Sequence, residues 1–120
     1  MNVKILVFPA FEKDAKRLMK KYASLKDELK ELENELLQNP EKGISIGNHC
    51  YKIRLAVKSK GKGKSGGLRI ITYIIVRIEA MSNVKIVNLA AIYNKSDYEN
   101  LPEKDIKRII KEIEKNFNIP

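Results

Sequence analysis

The sequence predicts an α+β fold in which helices cover a mainly antiparallel sheet. Two amphipathic helical patterns follow one another in the first third of the chain, and three β-branched runs follow one another between residues 51 and 93. The 120 residues, 43% of them hydrophobic, suit one globular core. We therefore expect a single domain over residues 1–120.

The N-terminal pattern predicts a short strand followed by a helix. Val3 to Phe8 are apolar except for Lys4, which predicts a strand over 2–8. Pro9 suits the first turn of a helix, because its missing N–H would have no partner there. Lysines and an arginine occupy the outer face of this helix. The apolar side chains recur at helical spacing on the opposite face: Phe11, Ala15, Leu18, Met19 and Tyr22. The first helix should therefore have a basic outer side.

A second helix is predicted to begin after Ser24 and to end near Gln38. Ser24 and Asp27 resemble a capping box, and Asn39 with Pro40 stops the helix. Its apolar positions are Leu25, Leu29, Leu32 and Leu36. About two heptads are too few to indicate a coiled coil. We expect the two helices to form a hairpin that packs on the sheet.

Three consecutive strands and a helix are predicted after a turn at 43–48. Tyr51 to Val57 alternates apolar and polar residues, with a cationic polar face. Leu68 to Ile78 is apolar on both faces and should be the central strand. Val84 to Tyr93 follows, and a C-terminal helix begins near Pro102. The predicted order is β-α-α-β-β-β-α, with four strands in the sheet.

The most basic segment runs from Lys52 to Arg69 and reads KIRLAVKSKGKGKSGGLR. It contains seven cations, four glycines and no acidic residue. The net charge of +9 favours an anionic partner, such as nucleic acid, an acidic protein or an anionic membrane surface. Aromatic rings near such cations suit single-stranded nucleic acid, because unstacked bases need flat partners. The candidate rings are Tyr51, Tyr73, Tyr93 and Tyr98.

Two glycine motifs in this segment do not fit their usual structural context. Gly61 to Gly66 matches the dinucleotide-binding pattern G-x-G-x-x-G, but strand-like residues follow where a helix would have to begin. A phosphate-binding P-loop fails for the same reason, and Lys58 stands where its first glycine belongs. No nucleotide cofactor is expected.

The histidine and cysteine content excludes several other sites. The only histidine, His49, precedes the only cysteine, Cys50, and neighbouring side chains on a strand point to opposite faces. A cysteine–histidine nucleophile is therefore not expected, nor is a disulfide within the chain or a zinc site built on thiolates.

The N-terminus has no small-residue cleavage site, and no apolar run approaches the roughly 20 residues that span a bilayer. We expect a cytoplasmic protein.

Four segments carry a family resemblance that covers nearly the whole chain. The two strongest are CYKIRLAVKSKGKGKSGGLRIITY, from Cys50 to Tyr73, and AIYNKSDYENL, from Ala91 to Leu101. Phe11 to Tyr22 and Leu37 to Gly43 agree with them upstream. Together they resemble the RelE/HigB branch of the RelE/ParE superfamily, the toxins of bacterial type II toxin–antitoxin systems. The predicted order of elements is also that of this RelE-like fold.

The resemblance implies a ribosome-dependent endoribonuclease, an mRNA interferase that cuts mRNA in the A site without a metal ion. The ribose 2′-hydroxyl would attack the adjacent phosphate, and lysine and arginine side chains would stabilise the negative charge that develops. The expected partners are the ribosome with its mRNA and rRNA, and a cognate antitoxin protein that inhibits the toxin. An acidic antitoxin segment would suit the +9 surface.

The resemblance also assigns roles to individual cations. Lys52 and Arg54 match basic strand positions before the loop, and Lys52 would deprotonate the 2′-hydroxyl or bind phosphate. Arg69 matches the arginine that contacts the scissile phosphate. Lys95 falls where many members keep a basic residue near the leaving oxygen. The glycine-rich loop is expected to be flexible and to hold RNA backbone through its lysines: Lys58, Lys60, Lys62 and Lys64.

The family's catalytic tyrosine is not cleanly matched. Tyr93 and Tyr98 are both candidates, and Leu101 stands at the corresponding position.

Two alternatives to a nuclease stay open. The ParE-like branch shares the fold but poisons DNA gyrase through protein contact, and a non-catalytic RNA-binding module of ribosomal-protein type would also need a basic surface.

Overall fold

The computed structural model describes residues 2–61, 66–79, 81–98 and 100–117, which form an α+β structure. Helices lie on both faces of one sheet. The elements in chain order are β1 (Asn2–Val7), α1 (Pro9–Lys21), α2 (Leu25–Gln38), β2 (Ile44–Gly47), β3 (Cys50–Leu55), a 3₁₀ turn (Lys58–Lys60), β4 (Leu68–Ile78), β5 (Asn83–Asn94) and α3 (Glu103–Lys115).

The described residues form a mixed sheet of five strands in the order β1-β5-β4-β3-β2. β1 pairs parallel with β5, and the other neighbours are antiparallel. The α+β class and the central position of β4 are therefore confirmed. The predicted four-stranded sheet is wrong by one strand, because the segment that was expected to be only a turn contains β2.

β2 forms a tight hairpin with β3. Asn48 and His49 at its turn have φ values of 54° and 61°. Two consecutive positive φ values give a turn whose twist matches that of paired strands. All four residues of β2 are exposed, so no apolar alternation marks this strand in the sequence.

Gly43 allows the chain to enter this hairpin close to β3. Its φ is +106°, and a Cβ atom built on it would lie 2.5 Å from the backbone oxygen of Lys52. Only glycine accommodates both the positive φ and this close approach. The backbone of β3 is thereby held next to the end of the helical hairpin.

The helical hairpin packs on one face of the sheet, as predicted. α1 begins at Pro9, and α2 spans the predicted range. Their buried side chains meet those of the four longer strands in one cluster that includes Leu25, Leu36, Ile70 and Val87. The predicted capping box is not formed, because Ser24 is helical in backbone conformation and its hydroxyl is bonded to Glu28 Oε1 at 3.0 Å.

α3 covers part of the opposite face. Ile113 is buried there against Cys50, Ile71 and Tyr73, and the other isoleucines of the helix pack around them. The helix begins one residue after Pro102, with Glu103 and Asp105 in its first turn. This second face, called the α3 face below, also carries the cationic side chains of β3 and β4.

A one-residue bulge in β5 changes which side chains reach the α3 face. Ile71 of β4 pairs with Ala91, whereas Thr72 pairs with Leu89, so Ala90 is the additional residue. Leu89 packs with the helical hairpin, and Ala90 and Tyr93 pack on the α3 face. Because side chains alternate along a regular strand, Tyr93 would share the face of Leu89 without the bulge.

Within the described residues, none of the helices is both long and apolar enough to cross a membrane.

Candidate active site

Two arginines and a tyrosine form a row across three adjacent strands on the α3 face. Arg54 of β3 is paired with Arg69 of β4, and Arg69 is paired with Tyr93 of β5. Neighbouring strands lie about 4.8 Å apart, so directly paired side chains on one face are in reach of one another. We call Arg54, Arg69 and Tyr93 the cationic row. The pairing of these strands brings together residues that lie up to 39 positions apart in the sequence.

The two arginines occupy different environments. Arg54 is exposed, whereas Arg69 is only 3% exposed, and its Nη1 donates a hydrogen bond to the Leu68 carbonyl at 3.3 Å. Burial lowers the pKa of Arg69, the charge of Arg54 lowers it further, and Tyr93 opposes the change. Guanidinium groups stay protonated in proteins, so Arg69 remains a cation at neutral pH. Like charges placed directly opposite each other on paired strands repel.

Tyr93 brings a buried hydroxyl to the row. Its side chain is 6% exposed, and no hydrogen bond of standard geometry reaches the hydroxyl from the described residues. Burial raises its pKa, while the nearby Leu101 amide and Arg69 lower it less strongly. The phenol is therefore protonated at neutral pH and can donate a hydrogen bond. Tyr98 is 49% exposed and packs edge-on against Tyr93, with ring centroids 5.9 Å apart.

Lys52 lies on the same face as Arg54, two residues away along β3. Its Nζ donates a hydrogen bond to Asn100 Oδ1 at 2.8 Å. This bond links β3 to the segment that follows β5. The two strands lie on opposite sides of β4, so the bond joins the two ends of the cationic row. Asn100 was not among the predicted site residues, because an asparagine 48 positions away carries no pattern that relates it to Lys52.

Lys95 is exposed on the turn that follows β5. Asn94 shapes this turn by accepting the Ser96 amide at its Oδ1, 3.2 Å away, while its Nδ2 donates to the Tyr22 hydroxyl at 3.2 Å. Asn94 is paired with Leu68, so Lys95 lies at the same end of the sheet as the cationic row. No contact between Lys95 and the row is found in the described ranges.

The first part of the glycine-rich segment is fastened to the helical hairpin. The Ser59 amide donates to Ser24 Oγ at 3.0 Å, the Ser24 amide donates to Ser59 Oγ at 3.3 Å, and the Lys58 amide donates to Glu28 Oε2 at 2.8 Å. The expectation of a flexible loop is therefore wrong for Lys58 and Lys60. These residues form a 3₁₀ turn. The turn is held in place by side-chain acceptors on Glu28 of α2 and on Ser24, which precedes α2.

The loop lysines also differ in availability. Lys58 is exposed, whereas the ammonium of Lys60 donates to the Gly66 carbonyl and lies 6.0 Å from the centre of the Tyr22 ring. Lys21 contacts the same ring at 5.5 Å. Lys60 therefore has a structural role beside any contact with RNA. Lys62 and Lys64 lie outside the described residues.

Cys50 and His49 do not form a nucleophilic pair in the structure. His49 is in the hairpin turn, and Cys50 is buried on the α3 face with its Sγ 3.6 Å from the Asn48 carbonyl. Burial raises the pKa of the Cys50 thiol from 9.0 to about 11. Among the described residues, no group of three or more His, Cys, Asp or Glu side chains is arranged to hold a metal ion.

We expect the Cys50 thiol to react slowly with iodoacetamide in the folded protein. With a pKa of about 11, roughly one thiol in a thousand is ionised at pH 8, and the sulfur is also buried. The folded protein holds this proton more tightly than the unfolded chain does. Cys50 therefore stabilises the fold below pH 9.0, and this contribution is lost as the pH rises towards 11.

Alkylation followed by mass spectrometry measures this difference. The same protein in concentrated urea is the control and should react at the rate of an ordinary cysteine. Equal rates with and without urea would contradict the burial of Cys50. Urea unfolding of wild type and Cys50→Ala between pH 8 and 11 isolates the pH-dependent contribution.

Comparison with models of known protein families finds no match to this chain, and a search of curated proteins finds none either.

Proposed function

We propose that this protein is a RelE/HigB-type toxin, a ribosome-dependent mRNA endoribonuclease whose site is the cationic row with Lys52. The observation that supports this proposal most directly is the pairing of Arg54 with Arg69 beside Tyr93. Two cations and a protonated phenol on one rigid sheet face match the needs of a phosphodiester cleavage that relies on charge stabilisation.

The proposed reaction is an in-line displacement at phosphorus. The ribose 2′-oxygen forms a bond to phosphorus, the bond from phosphorus to the 5′-oxygen breaks, and the 2′-hydroxyl proton passes to solvent water. Negative charge accumulates on the phosphoryl oxygens, which Arg54 and Arg69 can contact from fixed positions. Preorganised donors of this kind contribute several kcal/mol in other enzymes. Tyr93 can donate its proton to the leaving 5′-oxygen.

Lys52 is better suited to bind phosphate than to act as the base. Its ammonium donates to the Asn100 side chain, and a charged lysine has three donors and no acceptor. In this arrangement a second N–H is available for a phosphoryl oxygen. Lys95 and Lys58 are exposed at the same end of the sheet, where they can contact flanking phosphates in mRNA or rRNA.

The test is to incubate the purified protein with ribosomes translating a defined mRNA and to map the 5′ ends of the fragments by primer extension. We expect cuts within codons in the A site and none in the same mRNA without ribosomes. An intact mRNA in the presence of translating ribosomes contradicts the proposal. Trapped DNA breaks with purified gyrase would support the ParE-like alternative instead.

A further inference from the structure

The far end of β4 projects beyond its neighbour β3. β3 pairs with β4 only as far as Tyr73, and the Ile74 amide then donates to the His49 carbonyl at 3.0 Å. β4 continues to Ile78, so its last four residues have no strand on this side among the described residues. We call residues 75–79 the free edge.

Unpaired backbone groups point outward from the free edge. Along a strand, the N–H and C=O groups of alternate residues point to the same side. Because the Ile74 amide points towards β3, those of Val76 and Ile78 point the same way, where no described strand accepts them. The Glu79 amide points to the other side and donates to the Ser82 carbonyl at 3.2 Å, which agrees with this alternation. An edge of this kind can pair with a further strand.

Apolar side chains of the free edge are exposed. Val76 is 51% exposed and Ile78 is 84% exposed, whereas Ile74 on the same face is 8% exposed. Ile74 packs with the helical hairpin, and the hairpin does not cover the two residues that follow it on this face. Met81 in the adjoining turn is 95% exposed. Exposed β-branched side chains on an unpaired edge favour association with another strand.

The basic segment of the chain lies far from the free edge. Residues 52–69 contain seven cations and no acidic residue, which accounts for most of the net charge of +9. Ile78 follows Arg69 by nine residues on β4, a separation of about 30 Å at roughly 3.3 Å per residue. Exposed charges are largely screened beyond about 8 Å at physiological ionic strength. Repulsion between two basic segments therefore does not prevent two copies from meeting at this edge.

Only one register suits the pairing of two free edges about a twofold axis. A pairing centred on Val76 would need the Ile74 amide, which β3 already occupies. A pairing centred on Arg77 would place two like charges directly opposite each other, where they repel. A pairing centred on Ile78 places Ile78 against Ile78. It also places Arg77 of each copy opposite Glu79 of the other, so the edge is complementary to itself in charge.

We propose that the free edge pairs antiparallel with the free edge of a second copy of this chain, in the register centred on Ile78. The Ile78 amide of each copy then donates to the Ile78 carbonyl of the other. Arg77 lies over the Phe117 ring, which leaves its charge without an ion pair among the described residues, and Glu79 has none there either. Opposite charges on paired strands stabilise the pairing. The free edge and the cationic row lie at opposite ends of β4, so this pairing does not depend on the proposed function.

The pairing should be weak. The contact involves a few residues of each copy and is smaller than a stable interface, so we expect a dissociation constant of roughly 100 µM or more. At the lower concentrations of a cleavage assay the chain is then monomeric, and substitution of Arg77 leaves the cationic row unaffected.

An extended segment of another protein is the competing occupant, because it could add to the same edge. The second copy is favoured because Arg77 and Glu79 are placed symmetrically about Ile78, which is what a twofold pairing requires. The two occupants respond differently to exchange of these two charges, and this difference gives the test.

The experiment measures the average mass of the full chain by sedimentation equilibrium, at concentrations from about 10 µM to about 1 mM. For the wild type we expect the mass to rise towards twice that of the monomer. Arg77→Glu and Glu79→Arg should each stay monomeric, because each places like charges opposite each other. The double variant should recover the dimer. An equimolar mixture of the two single variants should form a mixed dimer, since an acidic edge then meets a basic one.

Two further variants separate the edge from general effects of charge and folding. Arg17→Glu reverses the same charge on the exposed side of α1 and should dimerise as the wild type does. Ile78→Pro removes the outward N–H, which the pairing with β5 does not use, and should abolish the dimer. Thermal unfolding checks that each variant keeps its fold.

Three results would overturn the proposal. A wild type that stays monomeric up to about 1 mM excludes the second copy as occupant and leaves the edge to a different protein. A dimer that survives Ile78→Pro and both single charge reversals forms through another surface. Failure of the two single variants to form a mixed dimer excludes the register centred on Ile78.

Discussion

Arg69→Ala should lower the rate of ribosome-dependent mRNA cleavage by about 10²- to 10³-fold, the cost of removing one preorganised donor to a developing anion. Arg69 has this effect because its position in the middle of the cationic row fixes it between Arg54 and Tyr93. Arg69→Lys should recover part of the rate, since it keeps the charge but loses the planar fork that binds two phosphoryl oxygens. Single-turnover cleavage rates measure both effects.

Arg77→Ala is the matched control for this prediction. Arg77 lies on the same strand and the same face, but at the far end, where its guanidinium lies 5.3 Å from the centre of the Phe117 ring. It should cleave at nearly the wild-type rate. Comparable losses in Arg69→Ala and Arg77→Ala would mean that general charge, and not the row, accounts for activity. Circular dichroism and melting curves exclude unfolding of the Arg69 variants.

Leu36→Ala should destabilise the protein by about 2–5 kcal/mol, the usual cost of removing a fully buried leucine side chain. Leu36 is 0% exposed and packs in the cluster between the helical hairpin and the sheet. The variant loses apolar burial and leaves a cavity that the rigid sheet cannot close. Urea unfolding monitored by circular dichroism gives the change in free energy of unfolding.

Leu37→Ala tests whether burial is the cause. Leu37 is the next residue of the same helix but is 45% exposed, so its truncation should cost less than about 1 kcal/mol. The two substitutions delete the same atoms and change helix propensity equally. Similar losses of stability would contradict the packing of α2 described above.

The helices and long strands were predictable because their patterns are local. α2 and β4 have the predicted boundaries, and α1 begins at the predicted proline. β2 was missed because its four residues are exposed and it forms through a turn that needs positive φ at Asn48 and His49. Neither residue is glycine, and nothing in the apolar pattern indicates the hairpin.

The site was predictable in its residue types but not in its arrangement. Arg54 and Arg69 stand out as strand cations, yet their direct pairing depends on strand register, which a sequence pattern does not specify. The Ser24–Ser59 contacts and the Lys52–Asn100 bond join positions 35 and 48 residues apart. Such contacts depend on tertiary packing and leave no periodic signal.

Because of the bulge at Ala90, the arrangement of the site depends on the number of residues in β5 as well as on their identity. A residue added or removed in the turn at 95–97 changes a surface loop, which chains generally tolerate. The same change at Ala90 would exchange the two sides of the strand's last third, turning Tyr93 towards the helical hairpin and Ile92 towards α3. Related chains that keep every cation and every tyrosine could therefore still differ in activity through a single-residue difference in spacing between Leu89 and Tyr93.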